Sequence, residues 1–217
     1  MAEQGPRLET LQFRPSGRVP NSRFPALIHR AAVTAAAGVD LADAIEEAFR
    51  RHDWLNNWRE LGVYDYPHFH STTHEALGMA RGRITLGLGG EGGTIIHLTA
   101  GDVLVLPAGT SHTRLENSDD SLMVGGYPDG RDWDLIRDER VTEDEVRAAV
   151  KLIGSLPIPA RDPVTGGPMT PWRQAPRTYG IQFWSPGPSV IRPVGAALGP
   201  GRSETRGGGP DRDDRDS

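Results

Sequence analysis

Between Trp58 and Tyr127 every apolar stretch is short, and each is closed by glycine, proline or polar residues. That pattern restricts the region to short β-strands joined by tight turns. The candidate strands are Trp58–Tyr66, Pro67–His70, Glu75–Ala80, Arg83–Leu88, Thr94–Leu98, Val103–Leu106, His112–Glu116 and Leu122–Tyr127. Gly89-Gly90-Glu91-Gly92-Gly93 separates two of them and reads as a hairpin turn, because it lacks the Lys-Ser/Thr pair and the helix of a phosphate loop. The whole chain carries 27 Gly and 18 Pro in 217 residues, with 36% hydrophobic residues and a mean hydropathy of −0.47. Such a composition excludes a helical bundle or a membrane protein, and the length suits one domain with appendages.

The flanks read differently. Residues 1–57 form an N-terminal arm and a helix that pack on the strand region of 58–134. The helix spans Asp40 to Arg51, with Asp40 as cap and Leu41, Ile45, Ala48 and Phe49 on one face. Residues 135–177 supply a second helix and a closing segment. That helix runs from Thr142 to Ile153, opened by the Thr142–Glu145 capping box and ended by Gly154 and Pro157. Residues 178–217 hold 8 Gly and 5 Pro and end in alternating Asp and Arg, the composition of a disordered tail.

The formal net charge of −5 argues against nucleic acid or an anionic membrane as main partner. Lys151 is the sole lysine, and its helical position sets it outside the strand region, which disfavours amine catalysis. Zero cysteines remove disulfides, thiolate nucleophiles and sulfur-ligated metals. The first residues, Met1 to Arg7, lack the apolar stretch of a secretory signal, so the expected location is cytoplasmic.

Five of the 7 histidines, His68, His70, His74, His97 and His112, fall in the strand region. His68 and His70 share a face, because strand side chains repeat with period two. Two imidazoles on one face of a rigid strand suit chelation, although a lone strand histidine is usually a hydrogen-bonded structural group. Glycines and prolines frame this set. The first block is Gly62-x5-His68-x-His70-x4-Glu75-x6-Gly82, and the second is Gly101-x5-Pro107-x-Gly109-x2-His112.

These two blocks, 18 residues apart, resemble the paired motifs of the cupin superfamily. The resemblance implies a mainly β protein: a single RmlC-like double-stranded β-helix, or jelly-roll, barrel with flanking helices. It also implies that His68, His70, Glu75 and His112 bind one divalent metal inside the barrel. Nitrogen and oxygen ligands without sulfur suit Fe, Mn, Ni, Co, Cu or Zn. Where the second motif usually ends in Asn, four residues after its histidine, this chain has Glu116. Neighbours on a strand face opposite ways, so one of His74 and Glu75 reaches the metal. The family spacing assigns Glu75, which turns His74 toward the outer sheet, a partner subunit or solvent. Leu8–Arg30, Trp58–Tyr66, His70–Glu75 and Asp162-Pro-Val-Thr-Gly-Gly-Pro168 look like a subfamily of small stand-alone microbial cupins, mostly uncharacterised, with similarity over about residues 8–173.

Alternation nominates the rest of the pocket: Tyr64 and Tyr66 with the His68 pair, Arg114 and Glu116 with His112, and Leu77, Met79 and Arg81 with Glu75. Pro67 or a bulge can break this register. Tyr64, Tyr66 and Arg114 are the candidate catalytic residues, able to hold an anionic group or shuttle a proton. Leu77 and Met79 read as filling, and His97 as structural. The resemblance points to a metal-dependent enzyme acting on a small polar molecule, of dioxygenase, decarboxylase or isomerase type. The alternative is a non-enzymatic protein that binds or senses a small molecule or metal. Metal-free epimerase chemistry is a third reading, one that needs no complete ligand set. Cupins commonly pair through edge strands or swapped N-terminal arms, so residues 8–30 make a homodimer the expected assembly.

Overall fold

Alternation along the central strands sets the architecture. Ile84, Leu86 and Leu88 are buried while Arg83, Thr85 and Gly87 face outward, and Ile96 and Leu98 repeat the pattern beside them. The computed structural model describes residues 6–176, so the expected disordered tail at 178–217 lies outside the described residues. The elements in chain order are β1 (Arg7–Leu11), β2 (Ala26–Arg30), α1 (Leu41–Arg51), β3 (Trp54–Glu60), β4 (His68–Phe69), β5 (Glu75–Arg81) and β6 (Arg83–Leu88). They continue with β7 (Thr94–Thr99), β8 (Val103–Leu106), β9 (His112–Asn117), β10 (Leu122–Pro128), β11 (Ile136–Arg137), α2 (Glu143–Ser155) and α3 (Thr170–Arg173).

The strands form two antiparallel sheets, ordered β1-β2-β8-β5-β10-β3 and β11-β4-β9-β6-β7. This is the mainly β jelly roll with flanking helices that the family resemblance implied. Leu77, Met79, Leu104 and Leu106 of the first sheet meet Ile84, Leu86, Leu88 and Leu98 of the second in one core. A second core covers the outer face of the first sheet, where Ala76, Val103, Val105 and Val124 pack under Ile45, Phe49, Trp54 and Trp172. Two-sided cover explains why β8 is buried along its whole length.

The N-terminal segment is built into that sheet. β1 pairs with β2, and β2 pairs with β8. The strand expected at Trp58–Tyr66 instead spans Trp54–Glu60, because Asp53 takes a positive φ of 65° after α1 and Trp54 pairs with Pro128. Asp40 caps α1, accepting from Ala42 N, and the Thr142–Glu145 capping box opens α2. α2 runs through Gly154 to Ser155 and leaves Leu156 as an extended C-cap, because the Pro157 ring disfavours helix in the residue preceding it. Lys151 lies exposed on α2, away from the strands. The glycine cluster closes the β6–β7 hairpin beside the Leu88–Thr94 pair. Among the described residues no helix is long and apolar enough to cross a membrane.

The chain after α2 is strapped across the second core by polar contacts to and from its residues. Trp54 Nε1 donates to Arg161 O (3.0 Å), and Trp172 Nε1 to Pro25 O (2.8 Å). His52 Nδ1 lies 2.8 Å from Pro163 O, and His29 Nε2 lies 3.0 Å from Asp162 Oδ2. Buried His74 accepts from Ala108 N through Nδ1 (2.9 Å), which leaves Nε2–H to donate to Pro157 O (3.3 Å). Burial, with Arg131 adding to it, pushes the His74 pKa down to about 4 against the opposing Pro157 bond. The folded pKa lies below the ordinary 6.5, so this contribution is present above the unfolded value and is lost as pH falls toward the folded one. Between about pH 7.5 and about pH 5 the wild type should therefore lose about 2 kcal/mol more stability than His74→Ala, measured by urea unfolding at both pH values.

Candidate metal centre

The site begins with strand pairing. His68 on β4 sits directly opposite His112 on β9, and His70 follows two residues on. Glu75 opens β5 in the other sheet, so the carboxylate reaches the imidazoles across the interior. The turn that delivers His112 is tied to the same strand, since Gly109 N donates to His70 O at 2.8 Å. Gly109 adopts φ +89°, and a Cβ there would lie 3.0 Å from Asn21 O, so glycine suits both the conformation and the close approach.

Each imidazole is oriented by a backbone carbonyl. His68 Nδ1 lies 2.9 Å from Tyr66 O, His112 Nδ1 lies 3.2 Å from Thr110 O, and His70 Nδ1 bonds Asp134 O. A carbonyl can only accept, so Nδ1 carries the proton in all three rings and Nε2 keeps its lone pair. One ring nitrogen of each histidine lies within 4.8 Å of the others. Glu75 Oε2 stands 3.4 Å from His112 Nε2 and 3.5 Å from His70 Nε2. Both Glu75 Oε2 and His112 Nε2 are buried without a hydrogen-bond partner. Two converging lone pairs left unsatisfied in a dry interior are costly, and a cation between them satisfies both. The described residues thus bring together three imidazoles able to hold a metal ion, with the Glu75 carboxylate beside two of them.

The electrostatics follow the same geometry. Burial, reinforced by His112, lowers the His68 pKa to about 3 and keeps that ring neutral. Burial also acts on Glu75, pushing its pKa up, but the positive charge that His70 and His112 carry when protonated outweighs it and holds the carboxyl well below the ordinary range. Conversely, Glu75 overcomes the burial of His70 and raises its pKa. His74, the neighbour of Glu75, points to the opposite face, into the strap contacts described above.

Four residues that strand alternation did not nominate support this centre. Tyr127 on β10 donates its hydroxyl to Glu75 Oε1 at 3.0 Å, and Trp58 Nε1 donates to Tyr127 Oη at 2.9 Å. Burial, then the charge of Glu75, raises the Tyr127 pKa far above its ordinary value, so the phenol keeps its proton. The Asp134 carboxylate accepts from Ser71 N (2.6 Å), Ser71 Oγ (2.5 Å), Thr72 N (3.1 Å) and Thr72 Oγ1 (3.1 Å). Burial works against these bonds, but they prevail and lower its pKa. The adjacent Trp133 meets the His70 ring edge-on at 5.6 Å.

A cavity of about 610 Å³ opens beside the histidines, with Trp58, Tyr64, Arg114, Tyr127 and Trp133 in its walls. Tyr64 meets His68 edge-on at 5.3 Å, while Arg114 donates its N–H to Tyr64 O and holds its guanidinium 3.9 Å from Asp65. Tyr66 lies behind Tyr64, stacked at 5.0 Å and capped by the Arg137 guanidinium at 3.5 Å from its ring centre. It is not among the residues lining the cavity. Glu116 faces solvent because a bulge at Leu115 reverses the β9 alternation after Arg114, and a bulge at Ala80 turns Arg81 outward likewise. Leu77 and Met79 fill the inter-sheet core. His97 is exposed, with Nδ1 3.1 Å from Thr85 Oγ1.

No family model matches the chain. The uncharacterised protein YjlB of Bacillus subtilis (strain 168) is 36% identical over 159 residues, 73% of this chain and 90% of that protein. Among solved structures, the TDP-quinovose 3,4-ketoisomerase WlaRB of Campylobacter jejuni is 15% identical, with a TM-score of 0.34, over 42% of this chain and 74% of its own. A Klebsiella pneumoniae protein with a double-stranded β-helix domain is 12% identical, with a TM-score of 0.31, over 64% of this chain and 90% of its own.

Asp134→Ala strands two backbone N–H groups and two hydroxyls, and should cost about 2 kcal/mol in urea unfolding. Asp134→Asn, which keeps the oxygen serving both N–H groups, should cost about half of that.

Proposed function

The chain belongs to the cupin superfamily, in the same family as YjlB, and from that premise we propose that it is a metal-binding cupin enzyme. His68, His70, Glu75 and His112 hold one divalent transition metal in this reading. The observation that carries it is the convergence of unsatisfied lone pairs: Nε2 of His112 and Oε2 of Glu75 are buried without partners, 3.4 Å apart. An all-nitrogen-and-oxygen donor set of this kind suits Fe, Mn, Co, Ni, Cu or Zn. When bound, such an ion supplies Lewis-acid or redox chemistry to a small polar molecule.

The chain's own residues do the rest. Arg114 receives an anionic group of the molecule, and Tyr64 offers a hydroxyl that hydrogen-bonds it or passes it a proton. Trp133 and Trp58 supply apolar walls that restrict water around the reacting group. The reaction classes that suit these parts are dioxygenase, decarboxylase and isomerase chemistry. A second reading, a protein that binds or senses a metal or small molecule without turnover, draws support from two placements. Tyr127 is committed to Glu75 and Tyr66 lies behind Tyr64, so Tyr64 and Arg114 remain as the nominated proton-handling groups.

Protein purified without chelators or a metal-affinity tag should contain about one transition metal per chain by elemental analysis. His112→Ala and Glu75→Gln should lower that content sharply, and acid should release the metal as protons compete for the imidazoles. Wild-type protein that holds no metal and takes up none of Mn, Fe, Co, Ni, Cu and Zn would sink the reading. Turnover in a panel of those three reaction classes decides between enzyme and binding protein.

We also propose a homodimer. β1 and β7 are edge strands, and the outer face beside β7 exposes Ile95 (62%) and Leu115 (53%) around Gly87. Light scattering should report a dimer for the wild type, and a monomer for Ile95→Glu combined with Leu115→Glu if that face forms the contact.

A further inference from the structure

The two oxygens of Glu75 are in different situations. Oε2 faces His70 and His112 and has no hydrogen-bond partner. Oε1 accepts from the Tyr127 hydroxyl at 3.0 Å. Tyr127 is 2% exposed, and its own oxygen accepts from Trp58 Nε1 at 2.9 Å. An indole nitrogen can only donate, so Trp58 occupies a phenol lone pair and leaves the phenol proton directed at Glu75. The chain of bonds therefore has one polarity, from indole to phenol to carboxylate.

Trp58 is itself held in place. It pairs with Gly125 across β3 and β10, and a Cβ on Gly125 would lie 1.9 Å from its ring. The indole also forms part of the cavity wall. A side chain that an incoming molecule would touch is thus two hydrogen bonds from the carboxylate at the centre.

We propose that Tyr127 is a positioning residue that reserves one oxygen of Glu75 for the metal, and that Trp58 acts on the metal through Tyr127. This inference rests on the metal-binding reading of His68, His70, Glu75 and His112. Engaging Oε1 withholds it from the metal and holds the carboxylate in one-oxygen ligation. Removing the phenol hydroxyl frees the carboxylate to rotate, or to ligate through both oxygens. Removing the indole N–H loosens the phenol and produces a weaker form of the same change.

The test uses the full-length chain, stripped of metal, and Co²⁺ titrated against a chromophoric chelator. Tyr127→Phe should weaken Co²⁺ binding about 10–100-fold, the usual consequence of losing an outer-sphere partner. Its Co²⁺ visible absorption should differ from that of the wild type, a change that a merely structural role would not produce. Trp58→Phe should weaken binding less, and the double variant should bind no more weakly than Tyr127→Phe alone, because both substitutions break one chain. Wild-type affinity and spectrum in Tyr127→Phe overturn the proposal, as do effects that multiply in the double variant. Thermal melts of the metal-free proteins check folding. If Tyr127→Phe does not fold, unchanged affinity and spectrum in Trp58→Phe overturn the relay. Wild-type protein that binds no Co²⁺ overturns the metal-site reading itself, and the relay with it.

Discussion

A carboxylate as deeply buried as Glu75 needs a partner for each oxygen: the Tyr127 phenol serves one, and the other, facing His70 and His112 without a hydrogen bond, is left for a cation. That arrangement sets requirements on much of the chain. The imidazoles must come from one sheet and the carboxylate from the other, so the sheets must close over a shared interior at this spacing. Each imidazole must present Nε2, so a backbone carbonyl must lie behind each Nδ1: Tyr66, Thr110 and Asp134 supply them. The first two carbonyls lie two residues before their histidines. The third comes from a loop more than sixty residues along the chain, and that loop is clamped by four bonds to Asp134.

Rigidity behind the site comes from burial on two sides. β5 carries Leu77 and Met79 into the inter-sheet core and Ala76 and Ala80 into the second core under α1. A strand held on both faces can fix the residue at its start, and Glu75 is that residue. Its neighbour His74 serves the outer core, bonded to the strap after α2 on one side and to Ala108 on the other. Adjacent residues of opposite facing thus join the centre to the outer cover. The same strap engages His29 and His52, so histidines here do two kinds of work: four, including His74, hold or border structure, and three converge on one another, two of them facing Glu75.

Much of this was legible from spacing. The sheet class, both long helices with their caps, the β6–β7 hairpin and the shared face of His68 and His70 follow from local periodicity and turn residues, while the grouping with Glu75 and His112 came from the resemblance to the cupin motifs. Alternation allowed only one of Glu75 and His74 to face the centre, and the resemblance to the cupin motif chose Glu75; period two holds where β5 starts. It failed past Arg114 and Met79, where single extra residues at Leu115 and Ala80 reverse the facing. Bulges of that kind leave no reliable mark in composition. Tyr66 shows another limit: it shares parity with Tyr64 but lies in an irregular segment, where parity does not decide direction.

What the sequence by itself determined is the kind of chain this is and the identity of the converging donors. Glycine, proline and histidine at set intervals restrict the backbone locally, and local restriction is readable one segment at a time. Only the tertiary structure decided which side chains stand behind those donors. Tyr127 reaches Glu75 because β10 pairs with β5, and Trp58 reaches Tyr127 because β3 pairs with β10 through a glycine. Asp134 reaches His70 because β11 folds back onto β4. Such contacts depend on the register between strands distant in sequence, which no single segment encodes.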